Sequence, residues 1–424
     1  MSRRVLVVSH FFPPLAGGGV HRALSWARHL PALGWEVSVI AAGESDYWVR
    51  DASLEIPTET EVIRVEGGSA AAWWSRARGA GSARAGGRFA PLRRLADWWL
   101  FPDAYSGWAG RARLAVEARL ARGDVDAVVT TSPPDSAHLA ALSVRDVPWI
   151  ADFRDPWVGL HFKSPPTPWH RARHEAMERR VIAGADTVVC ASMTHVEQIR
   201  SGACPPRRIV HVPNGFEPRG ASEPVLDPDH MHLVFTGTLS MMEDASTLLD
   251  ALHELGIAKP EARRRMRVDL VGPYDADHED RALSLGLAGV VRFHGSVSHA
   301  ESRRLQQSAD ALLLWKPRGP GYRTMVPGKL YEYLDSGRPV LALLPDGDEA
   351  AGLVRRAEGE VLAPGDTAAL ARALERRYTE WRGHGRVADR RPDWLEEYGR
   401  PRLAERFAEV LDSTLSTRTP KEKS

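Results

Sequence analysis

The first constraint on this chain is a rhythm that occurs twice. Short apolar runs alternate with helical segments along most of its length. Val5 to Ser9 reads as a buried strand and HFFPPLAGGGVHR as a loop. Val20, Ala23, Leu24, Ala27 and Leu30 then mark the apolar face of a helix. Gly34 ends that helix, and Trp35 to Ala41 is the next strand. Strand, Gly-rich loop, helix, strand opens a doubly wound sheet. Further strands are read at Asp126 to Thr131, in PWIAD, at Asp186 to Ala191 and at Ile209 to Val212. Helices are read over Ala109 to Ala121 and Trp169 to Ala183, and SPPDSAHLAAL reads as a loop opening another. After the Pro-rich, polar GASEPVLDPDH the alternation resumes in MHLVFTG, RVDLVG, VVRFHG, ADALLLW and RPVLALL. The expected architecture is α/β, with two doubly wound Rossmann-like domains over residues 1–213 and 214–393. Asp366 to Arg377 and Trp394 to Leu415 read as late helices, and 416–424 as a frayed polar tail.

The densest chemistry lies in GYRTMVPGKLYEYLDSGRPVLALL, Gly321 to Leu344. Pro327 and Gly328 end a loop, and Lys329 to Ser336 reads as a short helix stopped by Gly337 and Pro339. Lys329 and Glu332 are three apart and share one face near the helix N-terminus. That end of a helix offers N–H groups and partial positive charge, which suits a phosphate. Glu332 could accept hydrogen bonds from a pair of sugar hydroxyls. The plainer alternative is a solvated ion pair on a surface helix.

Two other places could touch a ligand. Gly17, Gly18 and Gly19 let backbone approach a bound group closely, although the loop lacks both G-x-G-x-x-G and P-loop spacing and a flexible turn stays open as an alternative. Asp152, Arg154 and Asp155 in DFRDPW lie just past the carboxyl end of a strand, where open α/β sheets hold ligands. The competing reading has Arg154 bridging the two aspartates as a structural pair. The Asp-x-Asp in DADHED, Asp275 to Asp280, reads as N-cap and first-turn acids of a helix. The 16 histidines show no zinc spacing, so no metal is expected.

Net charge is +1, so no global field draws nucleic acid to the chain. Cys190 and Cys204 have neither metal-ligand nor redox spacing, and Cys190 in DTVVCAS reads as a buried free thiol. That fits a reducing cytoplasm. The run VLVV is too short for a signal segment, and no stretch of 18 apolar residues is present. Residues 66–113 break the rhythm. Between Trp73 and Arg113 stand Arg76, Arg78, Arg84, Arg88, Arg93, Arg94, Arg111 and Arg113 against Asp97 and Asp103, with Trp73, Trp74, Trp98, Trp99 and Trp108 among them. Basic residues with aromatics can mark an anionic membrane surface, met from the cytoplasmic side, or a nucleic-acid patch; the plainer reading is a long acceptor-side insertion whose tryptophans pack on the domain. Gly79 to Gly87 reads as a mobile Gly/Ala/Ser-rich piece within it.

KLYEYL followed by SGRPVLA resembles the donor-site stretch of retaining glycosyltransferases of the GT-B fold, in a family-4-like branch. Phe101-Pro102-Asp103 through Gly107-Trp108, then TTSPPDSAHL, then PWIADFRDPW, are similar in order and spacing to one GT-B branch. PNGFE looks like the segment that ends its N-terminal domain. The resemblance implies two Rossmann-like domains facing a central cleft, with the helix at 394–415 crossing back to the first. It implies a nucleoside-diphosphate sugar donor, UDP- or GDP-linked, a small-molecule or lipid-linked acceptor, no metal or other cofactor, and retention at the anomeric carbon. Glu332 would hold the ribose. Gly237, Thr238, Arg323, Lys329 and Leu330 would line the donor, with Gly18 and Gly19 against its diphosphate and the acceptor. Asp152, Arg154 and Asp155 would form the catalytic set, an aspartate orienting the acceptor while the leaving phosphate takes its proton.

The chain departs from the family pattern at three positions. An Arg and a Lys usually stand where this chain has Thr238 and Glu243, and a Glu where it has Thr324. Arg323, Lys329 and Arg154 would then supply the missing charge. Two other readings follow from the same resemblance: a GT-B nucleotide-sugar 2-epimerase, or a non-catalytic homologue acting as a partner subunit. The Arg- and Gly-rich composition suggests a high-GC bacterial source, where cell-surface glycans or a glycosylated natural product would be the product.

Overall fold

The computed structural model describes residues 3–47, 50–67, 70, 100–159, 167–218, 224–239, 244–317 and 319–417. The described residues form two compact units. The first runs to Gly215 and resumes at Tyr398, and the second spans Phe216–Glu397.

The first unit holds a parallel sheet of seven strands. They are β1 (Arg3–Val8), β2 (Trp35–Ala42), β3 (Glu61–Val65), β4 (Ala127–Ser132), β5 (Trp149–Phe153), β6 (Thr187–Cys190) and β7 (Ile209–His211). Their order is β3-β2-β1-β4-β5-β6-β7. β1 is the switch point, with Val5 opposite both Val37 and Ala127. Val5 to Val8 are completely buried, as a strand covered on both faces requires. The second unit repeats the winding with β8 (Met231–Thr236), β9 (Met266–Val271), β10 (Val291–Gly295), β11 (Ala311–Trp315), β12 (Val340–Leu343) and β13 (Glu360–Leu362), ordered β10-β9-β8-β11-β12-β13. Reversal of strand order at β1 and at β8 leaves a crevice at the carboxyl ends of each sheet, where ligands bind in such folds. The expected pair of doubly wound α/β sheets is therefore present. The strands β3 and β13, each at a sheet edge, are half-exposed and are not among those read from the sequence.

Two local expectations change. The segment after TTSPP forms a 3-10 turn, Asp135–Ala141, and not a regular helix. The late helix does not run unbroken from Trp394, because a 3-10 turn at Asp393–Tyr398 precedes the helix Arg400–Thr417. Gly399 and Pro401 flank that junction, and proline is accepted only in a helix's first turn. This last helix is part of the first unit's core. Phe407 stacks on Trp26 with centroids 4.3 Å apart, Trp35 Nε1 donates to Asp412, and Thr187 and Thr414 share a 2.9 Å hydroxyl bond. At the crossing point a Cβ on Gly215 would lie 2.1 Å from the carbonyl oxygen of Tyr398, so the outgoing and returning strands of chain touch there.

Of the Arg/Trp-rich segment, residues 71–99 lie outside the described residues, Gly79 to Gly87 among them. Trp108 is described and is buried, packed on the domain. Cys190 is buried and burial pushes its thiol up, well out of thiolate range. No helix among the described residues is long and apolar enough to cross a membrane.

Candidate active site

In the first unit the carboxyl ends of β1, β4 and β5 bring DFRDPW beside the Gly-rich loop. Asp152 is completely buried. Its oxygens accept from Arg22 Nε at 2.9 Å, Arg22 Nη2 at 2.7 Å and Thr131 Oγ1 at 2.7 Å. Arg22 also donates to the carbonyls of Val212 and Pro213, both at 2.9 Å. Arg154 therefore does not bridge the two aspartates. Its guanidinium donates to three carbonyls instead: Ser132 at 2.5 Å, Gly19 at 2.6 Å and Pro133 at 3.1 Å. Burial pulls the Arg154 guanidinium down to about 10, against the upward pull of Asp155 and Asp152. Asp155 is half-buried and accepts no hydrogen bond from any described residue.

The same arginine fixes the loop. Gly17 has φ +111° and Gly18 is exposed with open space where a Cβ would stand. At Gly19 a Cβ would meet the Phe11 ring at 2.7 Å, so the loop closes on Phe11 only because the residue is glycine. With the Gly19 carbonyl turned to Arg154, the loop is held from beneath. His10 lies where β1 enters this loop, edge-on to Tyr105 and Trp108, and burial pushes its imidazole down to about 3.

In the second unit the helix Gly328–Asp335 begins beyond β11 and has no side chain capping its N-terminus. The Lys329 ammonium sits 4.0 Å from the centre of the Phe235 ring, which stacks on Trp315. Gly237 makes the room: with φ +143°, a Cβ there would fall 2.5 Å from Lys329 Nζ. Glu332 lies one turn on, with Oε1 2.9 Å from His299 Nε2 and Oε2 accepting from Gln306 Nε2 at 3.1 Å. Lys329 and Glu332 are both half-buried, so neither stands on a fully solvated helix face. The ammonium rests on an aromatic face and the carboxylate on a histidine and an amide.

The other donor candidates scatter around this helix. Thr238 is exposed just past Gly237. Arg323 is exposed and donates to the Asp346 carbonyl at 3.0 Å. Thr324 is buried and bonds to the Gly321 carbonyl at 2.8 Å, so it closes its own turn. Leu330 is completely buried and its N–H is bonded to Pro327, which turns its side chain into the core. Glu243 lies outside the described residues. DADHED does open a helix, Ala276–Ser284, with Asp277 and Glu279 in its first turn, although Asp275 makes no side-chain cap bond.

The fold has close counterparts among solved structures. Sucrose-phosphate synthase from Thermosynechococcus elongatus superposes with a TM-score of 0.67 at 15% identity, covering 98% of this chain and 100% of that one. WaaG, a glycosyltransferase involved in lipopolysaccharide biosynthesis, gives 0.63 at 16% identity, covering 96% and 99%. Anabaena HepE, solved in complex with UDP-glucose, gives 0.62 at 14% identity, covering 97% and 99%. No curated protein matches the chain. Residues 17–215 match the glycosyl transferase 4-like domain, and residues 230–380 match the glycosyl transferases group 1 family. The chain is a glycosyltransferase of the GT-B fold.

Three features of this transferase escaped the sequence reading. Arg22 is the partner of Asp152, and its signal was an arginine in the first turn of a helix straight after the Gly-rich loop. His299 and Gln306 hold Glu332, and with Arg303 they form a polar stripe at helical spacing. Lys316 and Asp348 form a buried pair in which Lys316 also donates to the Met325 carbonyl at 2.8 Å, tying down the loop that leads to Lys329. Burial draws the Lys316 ammonium down and Asp348 pulls it up.

Proposed function

We propose that the transferase moves a hexosyl or related residue from a UDP- or GDP-sugar to a hydroxyl of a small-molecule or lipid-linked acceptor, with retention and without metal. The observation that carries this reading is the pairing on one helix of an aromatic-parked ammonium, Lys329, with a carboxylate held by two donors, Glu332. An ammonium over a ring can turn to an incoming anion. Together with the first-turn N–H groups of its helix it would neutralise the leaving diphosphate. Glu332 would take the ribose hydroxyls. Because WaaG and HepE superpose along their whole length, cell-surface glycan precursors and UDP-sugars are the first substrates to try.

In the first unit the proposal separates the two aspartates. Asp155 faces the acceptor and orients its hydroxyl, while Asp152 holds Arg22 and the crossing of Val212 and Pro213. The acceptor oxygen bonds to the anomeric carbon as the bond to the diphosphate breaks, and the departing phosphate oxygen takes the acceptor's proton. Arg154 acts through the Gly19 loop.

Incubation with radiolabelled UDP- and GDP-sugars and candidate acceptors tests the reading. Label appearing in an acceptor in the donor's anomeric configuration is expected. Isomerised nucleotide sugar without transfer would replace the proposal with a 2-epimerase. Nucleotide binding without turnover would replace it with a non-catalytic subunit.

A further inference from the structure

The helix His299–Ser308 turns a polar stripe toward Glu332. His299, Arg303 and Gln306 stand at i, i+4 and i+7. His299 Nε2 meets Oε1 of the carboxylate at 2.9 Å and Gln306 Nε2 donates to Oε2 at 3.1 Å. Arg303 Nη1 donates to the Glu332 backbone carbonyl at 2.9 Å and its Nη2 to buried Asp335. The Gln306 amide is itself oriented. Its nitrogen also reaches Thr236 Oγ1 at 3.3 Å and Ser302 Oγ at 3.4 Å, and its oxygen accepts from Arg303 at 3.4 Å. Gln306 is completely buried, so the network is anchored in the core while the Glu332 side chain keeps 15% exposure.

A free glutamate rotates about its last bonds. A donor on each oxygen fixes the plane of the carboxylate, and a helix carrying both donors fixes it rigidly. We infer that His299 and Gln306 are positioning residues that set the Glu332 carboxylate to recognise the ribose cis-diol, and so give the transferase its selectivity for ribonucleotide over deoxyribonucleotide donors. The inference rests on Glu332 being the ribose acceptor. An oriented acceptor gains its hydrogen bonds without ordering cost at the moment of binding. Losing one hydroxyl from such a site removes a charge-assisted hydrogen bond, on the order of ten- to a hundredfold in affinity.

The test is a ratio. Calorimetry would compare UDP with 2′-deoxy-UDP (or GDP with 2′-deoxy-GDP, if GDP binds more tightly) on wild type, His299→Ala, His299→Gln and Gln306→Leu. The native protein should favour the ribonucleotide by about tenfold or more. His299→Ala and the near-isosteric Gln306→Leu should bring that preference to within about threefold while binding of the deoxy compound holds steady. His299→Gln, which keeps a donor, should restore most of the preference. A stripe that merely packs two helices together would lower binding of both nucleotides equally or of neither, and that result overturns the inference. Absence of any ribose preference in the native protein has a different signature: it removes Glu332 from the ribose and the inference with it.

Discussion

Asn at position 152 and Asn at position 155 should produce opposite defects. Asp152 is completely buried and bears four hydrogen bonds, three from Arg22 and one from Thr131. Asp152→Asn keeps the shape but removes the charge and replaces one acceptor oxygen with a donor. Arg22 would keep the Val212 and Pro213 carbonyls and at most one neutral amide oxygen, with no counter-charge. Breaking a buried pair on one side costs about 3–5 kcal/mol, since the remaining charge stays desolvated. At roughly 2–4 °C per kcal/mol for a unit of this size, melting should fall by about 6–20 °C. Asp155 bears no hydrogen bond from a described residue, so Asp155→Asn should stay within about 0.5 kcal/mol of wild type. Its cost should appear in kcat/KM for the acceptor, lower by roughly ten- to a hundredfold with donor affinity unchanged. Scanning calorimetry and acceptor kinetics on both variants measure this directly. Native melting with collapsed kcat in Asp152→Asn, or full activity in Asp155→Asn, refutes the division of roles.

Lys329→Ala and Glu332→Ala should each weaken binding of the preferred nucleoside diphosphate by roughly ten- to a hundredfold, read by calorimetry. Gly237→Ala should mimic Lys329→Ala, because its Cβ would sit 2.5 Å from Nζ, and the double variant should add little to either single one. On the proposed reading, Lys329 and the N-terminus of its helix would neutralise the leaving group, so transfer should survive EDTA, and loss of activity restored by magnesium or manganese would overturn that. In the second unit, burial drives the Asp269 carboxyl up, but the bond with His232 at 2.6 Å and the His294 ring nitrogen 3.0 Å away prevail and hold it below its ordinary value. A carboxyl depressed in the folded state stabilises above its unfolded value, about 3.9, and loses that contribution as pH falls through the folded one. Asp269→Asn should therefore flatten the acid limb of a stability profile measured by urea unfolding below about pH 5.

What was legible in the sequence followed from periodicity. Val5 to Val8 and Leu312 to Leu314 are buried on both faces of a sheet, and an uninterrupted apolar run records that state directly. β3 and β13 were not read, because EVIRV has charged residues interrupting its apolar ones and EVL is only three residues long. The site divided in the same way. Lys329 and Glu332 could be placed on one helix face from spacing alone. The partner of Asp152 could not, because Arg22 is 130 positions away and only the sheet order brings them together. Arg154, two residues from Asp152, looked the better partner in one dimension, yet its side chain turns to the carbonyls of Ser132, Pro133 and Gly19. The His299 stripe went unread, because its meaning depends on which helix it faces.

The contact at Gly215 and Tyr398 also bears on biosynthesis. Everything between those residues is an insertion within the first unit, whose core is finished only by Phe407, Val410 and Leu411 from the far end of the chain. At about 5–20 residues per second a ribosome needs roughly ten to forty seconds to make the insertion. During that interval Trp26 lacks its stacking partner and the groove for the final helix stays wet. A nascent chain halted after Gly215 therefore holds all seven strands of its sheet but leaves one apolar side open. The second unit, contiguous from Phe216 to Glu397, can close while still tethered to the ribosome. Its early completion would leave a short, folded spacer in place of a long loose loop, so that the last helix emerges already close to the place it must fill.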